Sequence, residues 1–469
     1  MGKRGQERKR RRKQSEQTAA APTFLKQSNG TAEDDSDIDP LDLHITLDVL
    51  TRITQSSELE EPLWKRKDFK ALRTKVFALY TAMTDDRAAG RSLGGRISDA
   101  LQSKDYLLAR HLLEEMKQKQ IVPKLGSLQR WVRECDAAFS VNGTKAADTE
   151  QNDVLRVLDA MIRCTQADVV REANKDSAPT DLIIKHPDWC PPSKFGTAGD
   201  ETAADGYGAQ DAEALASKFR IVSTEKGLHR KPPNKHDAVV YTSCPTAVPL
   251  APLPPNTIAQ HPVPHVPGCF VLTDVLTPHE CTRIIQAAEA IKFMPDEPLD
   301  DIVARSILAH NVYWLADPAL NKALYDRCAA FLPNSLGLNA RWRVYRYEPG
   351  AVYRPHIDGS WPGSGLHPQT GEYMYDAYGD RQSKMTFLLR LNDDFEGGAT
   401  TYFVPSPDVG FMHARGVTTP RGSVVCFPHG DAQGSLLHEG SAVTRGYKYI
   451  VRTDVLYPLS TDHGRGKMT

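Results

Sequence analysis

No two of the eight cysteines in this chain form a CxxC pair; they are scattered from Cys135 to Cys426. That scatter argues against a structural zinc site and against a disulfide framework. No apolar run is long enough to cross a bilayer, and the first residues lack the apolar core of a secretory signal. Charge of one sign is missing too. With 58 Lys and Arg against 59 Asp and Glu, the formal charge is −1, so no global field gathers nucleic acid or an acidic membrane. Hydrophobic residues make up 40%, low for a chain packed throughout, and tails and linkers are expected to dilute the globular parts. The expected protein is soluble, intracellular and reduced, with length enough for about three domains.

What is present falls into zones. Residues 1–40 read as a tail, basic and then acidic, with six consecutive basic residues from Arg8 to Lys13. Such a cluster serves as a nuclear import signal or simply as a solvated tail, so nuclear or cytoplasmic placement is expected. Residues 41–172 show helical apolar spacing: Ile97, Leu101, Leu108, Leu112 and Met116 recur at steps of four and seven until Pro123. Two antiparallel helices joined near Asp105 would bury that stripe. With Ala109, Met116 and Pro123, residues 96–130 resemble one pentatricopeptide-type helical hairpin. Such repeats need stacked copies, and one copy is recognisable. Residues 173–265 read as an irregular, proline-rich connector, pinned somewhere through Trp189 and Tyr241. From residue 266 to 458 comes a strand, an amphipathic helix after Thr277-Pro278, and many short strands. The expected fold class is α+β: a C-terminal jelly roll with flanking helices, preceded by a helical N-terminal region. Residues 459–469 read as a tail.

The stretch YRYEPGAVYRPHIDGSW, Tyr345 to Trp361, carries the chemistry. On a strand, His356 and Asp358 point to one face and offer an imidazole and a carboxylate side by side. Alone, that spacing is weak. His438, in SLLHEGSAV, is the candidate third ligand. Two histidines and one carboxylate leave one face of a metal open, the pattern of non-haem Fe(II) oxygenases, with zinc as the rival. A bound 2-oxo acid needs a cation for its far carboxylate, and Lys448 follows His438 by ten residues. Arg452 shares its strand face about 13 Å further along and could compete for that carboxylate. Tyr347 and Thr386 are the expected supporting hydroxyls.

From about Val266 to Pro458 these motifs resemble the prolyl 4-hydroxylase-like group of Fe(II)/2-oxoglutarate dioxygenases. The resemblance rests on FVLTDVLTPHEC, RYEPGAVYRPHID, TFLLRLNDDFEGGAT, PRGSVVCFPHGD and LLHEGSAVTRGYKY, in that order. It implies a double-stranded β-helix, with Fe(II) held by His356, Asp358 and His438. It also implies 2-oxoglutarate anchored by Lys448 with Tyr347 and Thr386, O2 as substrate, and L-ascorbate to restore oxidised iron. Hydroxylation of a protein, with release of succinate and CO2, is the activity implied. Residues 359–383 form a long Trp-, Tyr- and Gly-rich insertion, expected to cover a substrate groove through Trp361, Tyr373 or Tyr375. His367, His413 and His429 are read as loop residues without a metal role. Two other readings stay open: a nucleic-acid-directed oxygenase recruited by the helical region, and a binding protein whose oxygenase domain is auxiliary. No membrane partner is expected.

Overall fold

The computed structural model describes residues 69–83, 92–135, 149–166, 181–194, 209–230, 233–254, 256–299 and 309–459, with residues 46, 49, 50 and 53. The tails read at 1–40 and beyond 459 lie outside the described residues. Two compact units divide at Gly90/Arg91, so the region 41–172 is shared between them. The first contains the helix α1, Lys70–Met83.

The second unit begins with four helices: α2 Leu93–Gln102, α3 Tyr106–Gln118, α4 Leu125–Cys135 and α5 Thr149–Arg163. The expected hairpin is there. Asp105 caps α3 through its carboxylate, which accepts the Leu108 N–H at 3.0 Å, so the chain turns at that residue. Ile97, Leu101, Ala109, Leu112 and Met116 are buried, but Leu108 is exposed: it sits one step around the helix from the stripe. The helix α6, Ala209–Ala216, follows at a distance in the chain.

The described residues form nineteen strands, the first of them before α6. They are β1 Ile183–Lys185, β2 Phe219–Glu225, β3 Ala238–Ser243, β4 Ala259–Pro262, β5 Phe270–Thr273, β6 His310–Leu315, β7 Gly337–Leu338, β8 Arg341–Tyr347, β9 Tyr353–His356, β10 Gly365–Leu366, β11 Tyr373–Met374, β12 Arg381–Arg390, β13 Glu396–Gly397, β14 Thr400–Pro405, β15 Met412–Val417, β16 Val424–Pro428, β17 Leu437–Gly440, β18 Val443–Arg445 and β19 Lys448–Pro458. Two large sheets result. The main one runs β2-β3-β6-β8-β19-β12-β16-β5-β4, with β7 on β19; the smaller runs β1-β15-β14-β17-β9. Mixed helices and sheets make the class α+β.

The main sheet buries one face against α7, Pro278–Ala290, and α8, Pro318–Cys328. The Thr277 hydroxyl and the Glu280 carboxylate form a capping box that starts α7 where the sequence signals it. Its other face meets the smaller sheet: Val271, Val425 and Phe427 pack with Tyr402 and Val417. The stretch read as an irregular connector supplies α6 and four strands. β1 pairs with β15, and Trp189 is pinned there by its N–H, 2.8 Å from the Gly416 carbonyl. The prolines of 245–268 leave room for β4 because it lies at the edge of its sheet, where missing donors cost least.

Helices α2–α5 share one core with the smaller sheet. Trp131, Leu158 and Met161 from the helices pack with Ile183, Ile357, Phe403, Met412 and Leu437. A buried ion pair clamps the contact: Arg163 Nε donates to Asp159 Oδ2 at 2.7 Å, and Arg163 Nη2 donates to the Ser406 carbonyl at 2.6 Å. The same carboxylate oxygen accepts the Gly410 N–H at 2.7 Å. Breaking such a pair leaves a buried charge unmatched.

A chain starting at residue 182 therefore exposes the sheet side of this core, and gel filtration with circular dichroism is expected to find it aggregated or unfolded. Trp131→Ala in the full chain is expected to cost about 3–5 kcal/mol in denaturant unfolding. A soluble, cooperatively unfolding 182–469 fragment would show that the helices are detachable.

Candidate metal centre and co-substrate cleft

The site is built on a short ladder. β9 and β17 run antiparallel, with His356 directly opposite His438. Facing residues in such a ladder hold their Cβ atoms about 5 Å apart, so register alone brings two imidazoles together from 82 residues apart in the chain (438 − 356). Their ring centroids lie 4.3 Å apart. Asp358 completes the group, although not as two strand residues on one face. β9 ends at His356, and Asp358 lies beyond it in irregular chain with its carboxylate toward the rings. His356 Nε2 is 3.5 Å from Asp358 Oδ1, and His438 Nε2 is 3.8 Å from Asp358 Oδ2. The donor atoms of all three lie within 4.8 Å of one another.

Both rings are oriented from behind. His356 Nδ1 donates to the Arg354 carbonyl at 2.7 Å, and His438 Nδ1 to the Leu436 carbonyl at 2.9 Å. A carbonyl only accepts, so each Nδ1 carries a proton and each Nε2, the nitrogen that holds the lone pair in such a neutral ring, is the atom left to face a metal. Burial, with His356 alongside, pushes the His438 imidazole down to about 3, so it stays neutral. Burial opposes ionisation of Asp358, but Arg452 and the two histidines outweigh it and hold the carboxyl well below the usual carboxylate range. A neutral imidazole pair and an ionised carboxylate are the protonation states that a divalent ion requires.

Asp358 is held on both oxygens. Arg452 Nη2 reaches Oδ1 at 3.0 Å, and the Thr386 hydroxyl donates to Oδ2 at 2.6 Å. Thr386 lines the cleft as expected, yet its proton is committed to the carboxylate. The chain continues: Thr386 accepts from His429 Nδ1 at 2.7 Å, and His429 Nε2 accepts from the Ser383 hydroxyl at 2.8 Å. Ser383 Oγ in turn accepts the Trp361 N–H at 2.9 Å. Burial keeps His429 neutral by pushing its pKa down. So His429 is a buried loop residue that orients a ligand, a role its sequence context did not signal. His413, read as a loop residue, lies instead on β15, with its Nδ1 2.8 Å from His186 Nε2. His367 is in the 359–383 loop, where its Nδ1 accepts the N–H of Thr370 at 3.2 Å. Among the described residues, the triad is the sole group of this kind.

The cleft in front of the triad offers about 450 Å³ of free space, counting the solvent at its open side. Its walls include Tyr347, Thr386, His356, His438, Lys448 and Arg452, so every sequence-predicted site residue converges here. The period of two along β19 puts Lys448, Ile450 and Arg452 on this face, with Lys448 across from Tyr347 on β8. The two cations divide their duties: Arg452 takes Asp358, while Lys448 lies deeper, its Nζ donating to the Gly398 carbonyl at 2.6 Å. The Tyr347 ring is 5.3 Å from that ammonium. Lys448 is buried without an acidic hydrogen-bond partner among the described residues, and burial, with Arg390 nearby, brings its pKa down to about 7.

The helical region reaches the site as well. From α4, Gln129 Nε2 donates to the Ile357 carbonyl at 3.0 Å, between two of the three ligands. Gly359 accommodates it: a Cβ there would lie 3.2 Å from Gln129 Nε2. The pattern LQRWVREC marks an amphipathic helix but not its target, and only the folded chain brings Gln129 to residue 357.

No family model matches the chain, and no curated protein matches it in sequence. Among solved structures it is similar to the viral collagen prolyl hydroxylase of Paramecium bursaria Chlorella virus-1 in its 2OG complex, at 18% identity over 40% of this chain and 96% of that one, with a TM-score of 0.28. A Pseudomonas putida prolyl-4-hydroxylase matches at 16% identity, 41% and 94% coverage and TM-score 0.28. So does a Trichoplax adhaerens prolyl hydroxylase in complex with a hypoxia inducible factor oxygen degradation domain peptide, at 15% identity, 40% and 83% coverage and TM-score 0.28.

Two outcomes follow from the geometry. Gln129→Leu is expected to weaken divalent-ion binding about tenfold, measured by titration with Co(II), because the segment between the ligands loses its donor. With Lys448 near 7 in the free protein, 2-oxoglutarate affinity is expected to be flat below that pH. Above it the lysine must first take up a proton, so affinity falls by up to about tenfold per pH unit. Calorimetry from pH 6 to 9 on the wild type and on Lys448→Arg, which should be flat throughout, checks the sign.

Proposed function

We propose that this chain is an Fe(II)- and 2-oxoglutarate-dependent dioxygenase that hydroxylates a protein, in the manner of the prolyl 4-hydroxylase-like group. One observation carries the reading: His356, Asp358 and His438 bring their donor atoms within 4.8 Å of one another, with Nδ1 of both rings engaged by backbone carbonyls. The buried Lys448 at the closed end of the same cleft supports it further, because a zinc hydrolase has no need of an unmatched cation there.

His356, Asp358 and His438 would hold the iron, and Lys448 would hold the distal carboxylate of 2-oxoglutarate, with the Tyr347 ring beside it. The iron would supply oxidative decarboxylation of the co-substrate, giving succinate and CO2, and transfer of one oxygen atom to a substrate C–H bond. The protein's own task is orientation and shelter. Thr386 and Arg452 keep both Asp358 oxygens directed, so that the carboxylate presents one geometry. Phe427 and Ile450 wall the cleft with apolar surface and limit water near the reacting centre. In the insertion 359–383, Trp361 and Tyr375 are exposed and would be available for contact with a substrate, while Tyr373 packs inward. Ascorbate would serve to restore oxidised iron. No helix among the described residues is long and apolar enough to cross a membrane.

The full chain with Fe(II) is expected to release succinate as it consumes 2-oxoglutarate, and His438→Ala to abolish both this turnover and metal binding. Proteomes of cells carrying the wild type and His356→Ala should differ by peptides heavier by one oxygen atom, at prolines if the reading holds. Absence of 2-oxoglutarate binding in the presence of Fe(II) would remove it.

A further inference from the structure

Past the triad, away from Lys448, the cleft face of the main sheet continues over β8 and β6. Arg343 lies across from Arg452 on β19 and from Tyr313 on β6, and Arg341 stands two residues further along β8. The Tyr313 ring is flanked by both guanidinium groups, with Arg341 Cζ at 4.9 Å and Arg343 Cζ at 4.8 Å from its centre. The β10–β11 ribbon borders this floor: Leu366 and Tyr373 pack with Tyr313 and Leu315. Tyr375, half exposed, stands near enough for its phenol to feel the charge of Arg341.

The charges on this floor do not balance. Asp296 serves two guanidinium groups, Arg343 at 3.2 Å and Arg230 at 2.9 Å. Arg452 is matched by Asp358 at 3.0 Å and Asp454 at 3.6 Å. Among the described residues, the Arg341 guanidinium makes no hydrogen bond or ion pair, and its Nε is shut from solvent without a partner. An arginine fork in that state, half-buried and backed by an aromatic ring, is prepared for a carboxylate.

We propose that this surface binds an acidic segment of a polypeptide, with one Asp or Glu carboxylate of the partner paired to Arg341. Its use in placing a substrate rests on the dioxygenase reading; the binding itself does not. Arg341 lies about 7 Å along the strand from Arg343, the register partner of the arginine that touches Asp358, so the carboxylate falls about two to four residues from the hydroxylated one in an extended chain. A nucleic acid fits less well. Asp296 and Asp454 lie in the same floor and oppose a run of phosphates, and the chain's net charge is −1.

The test uses the full chain without added metal, and short fluorescent peptides with a central proline and either Glu or Gln at one flanking position. By anisotropy the best Glu peptide is expected to bind about tenfold tighter than its Gln twin. Arg341→Gln should erase that gap, Arg341→Lys keep part of it, and Arg341→Glu turn the preference toward Lys-containing peptides. Equal affinity for Glu and Gln peptides, a gap that survives Arg341→Gln, or binding only to single-stranded oligonucleotide would overturn the proposal. Co(II) titration of wild type and His356→Ala, run separately, reports on the metal site. Loss of the iron reading and loss of the acidic preference are thus distinguished.

Discussion

Two antiparallel strands that face each other at one residue pair leave little freedom for the side chains at that pair. His356 and His438 occupy such positions on β9 and β17, and everything chemical in this protein is arranged about their register. A slip of one residue would send either imidazole to the opposite face of the smaller sheet. The register is secured from several directions: β14 pairs with β17 through Tyr402 and His438, Gly440 accepts the close approach of Tyr353, and α4 packs along β9.

Around that pair, charge is placed by alternation on single strands. β19 sends Lys448, Ile450, Arg452 and Asp454 to one face, and β12 sends Thr386, Leu388 and Arg390 toward them. Burying so many ionisable groups is unfavourable unless each has a counterpart. Asp358, Thr386, His429 and Ser383 are linked in a continuous hydrogen-bonded set with Arg452 ion-paired to its carboxylate end, whereas Lys448 keeps only a backbone carbonyl. The contrast separates the part of the cleft whose charges are matched from the part where a cation has no acidic partner among the described residues.

The helices and the sheets of the second unit are not separate bodies. Their common core, the Arg163 clamp and the Gln129 hydrogen bond tie α2–α5 to the strands that carry the ligands. A region whose sequence suggests recruitment of partners is thus a support for the segment that carries Asp358. The hairpin with Ala109 and Met116 buries its inner face within this core, where those two residues pack.

Much of the site was legible in the chain itself. Period-two alternation on β19 and the capping signal before α7 are local patterns, and local physics produced them: side-chain direction on a pleat, and a helix start that needs its first amides satisfied. The convergence of His438 on His356 was accessible only through motif order, because register between distant strands depends on every strand between them. Four strands in the supposed connector escaped notice, since each is stabilised by a partner distant in sequence rather than by its own composition. The same holds for Asp358 beyond the strand end, for His429 behind Thr386, and for Gln129 beneath residue 357. Sequence alone determined which side chains were available and which faces they shared; the tertiary structure decided which of them met, because hydrogen-bond partners and buried charges are matched across the fold and not along the chain.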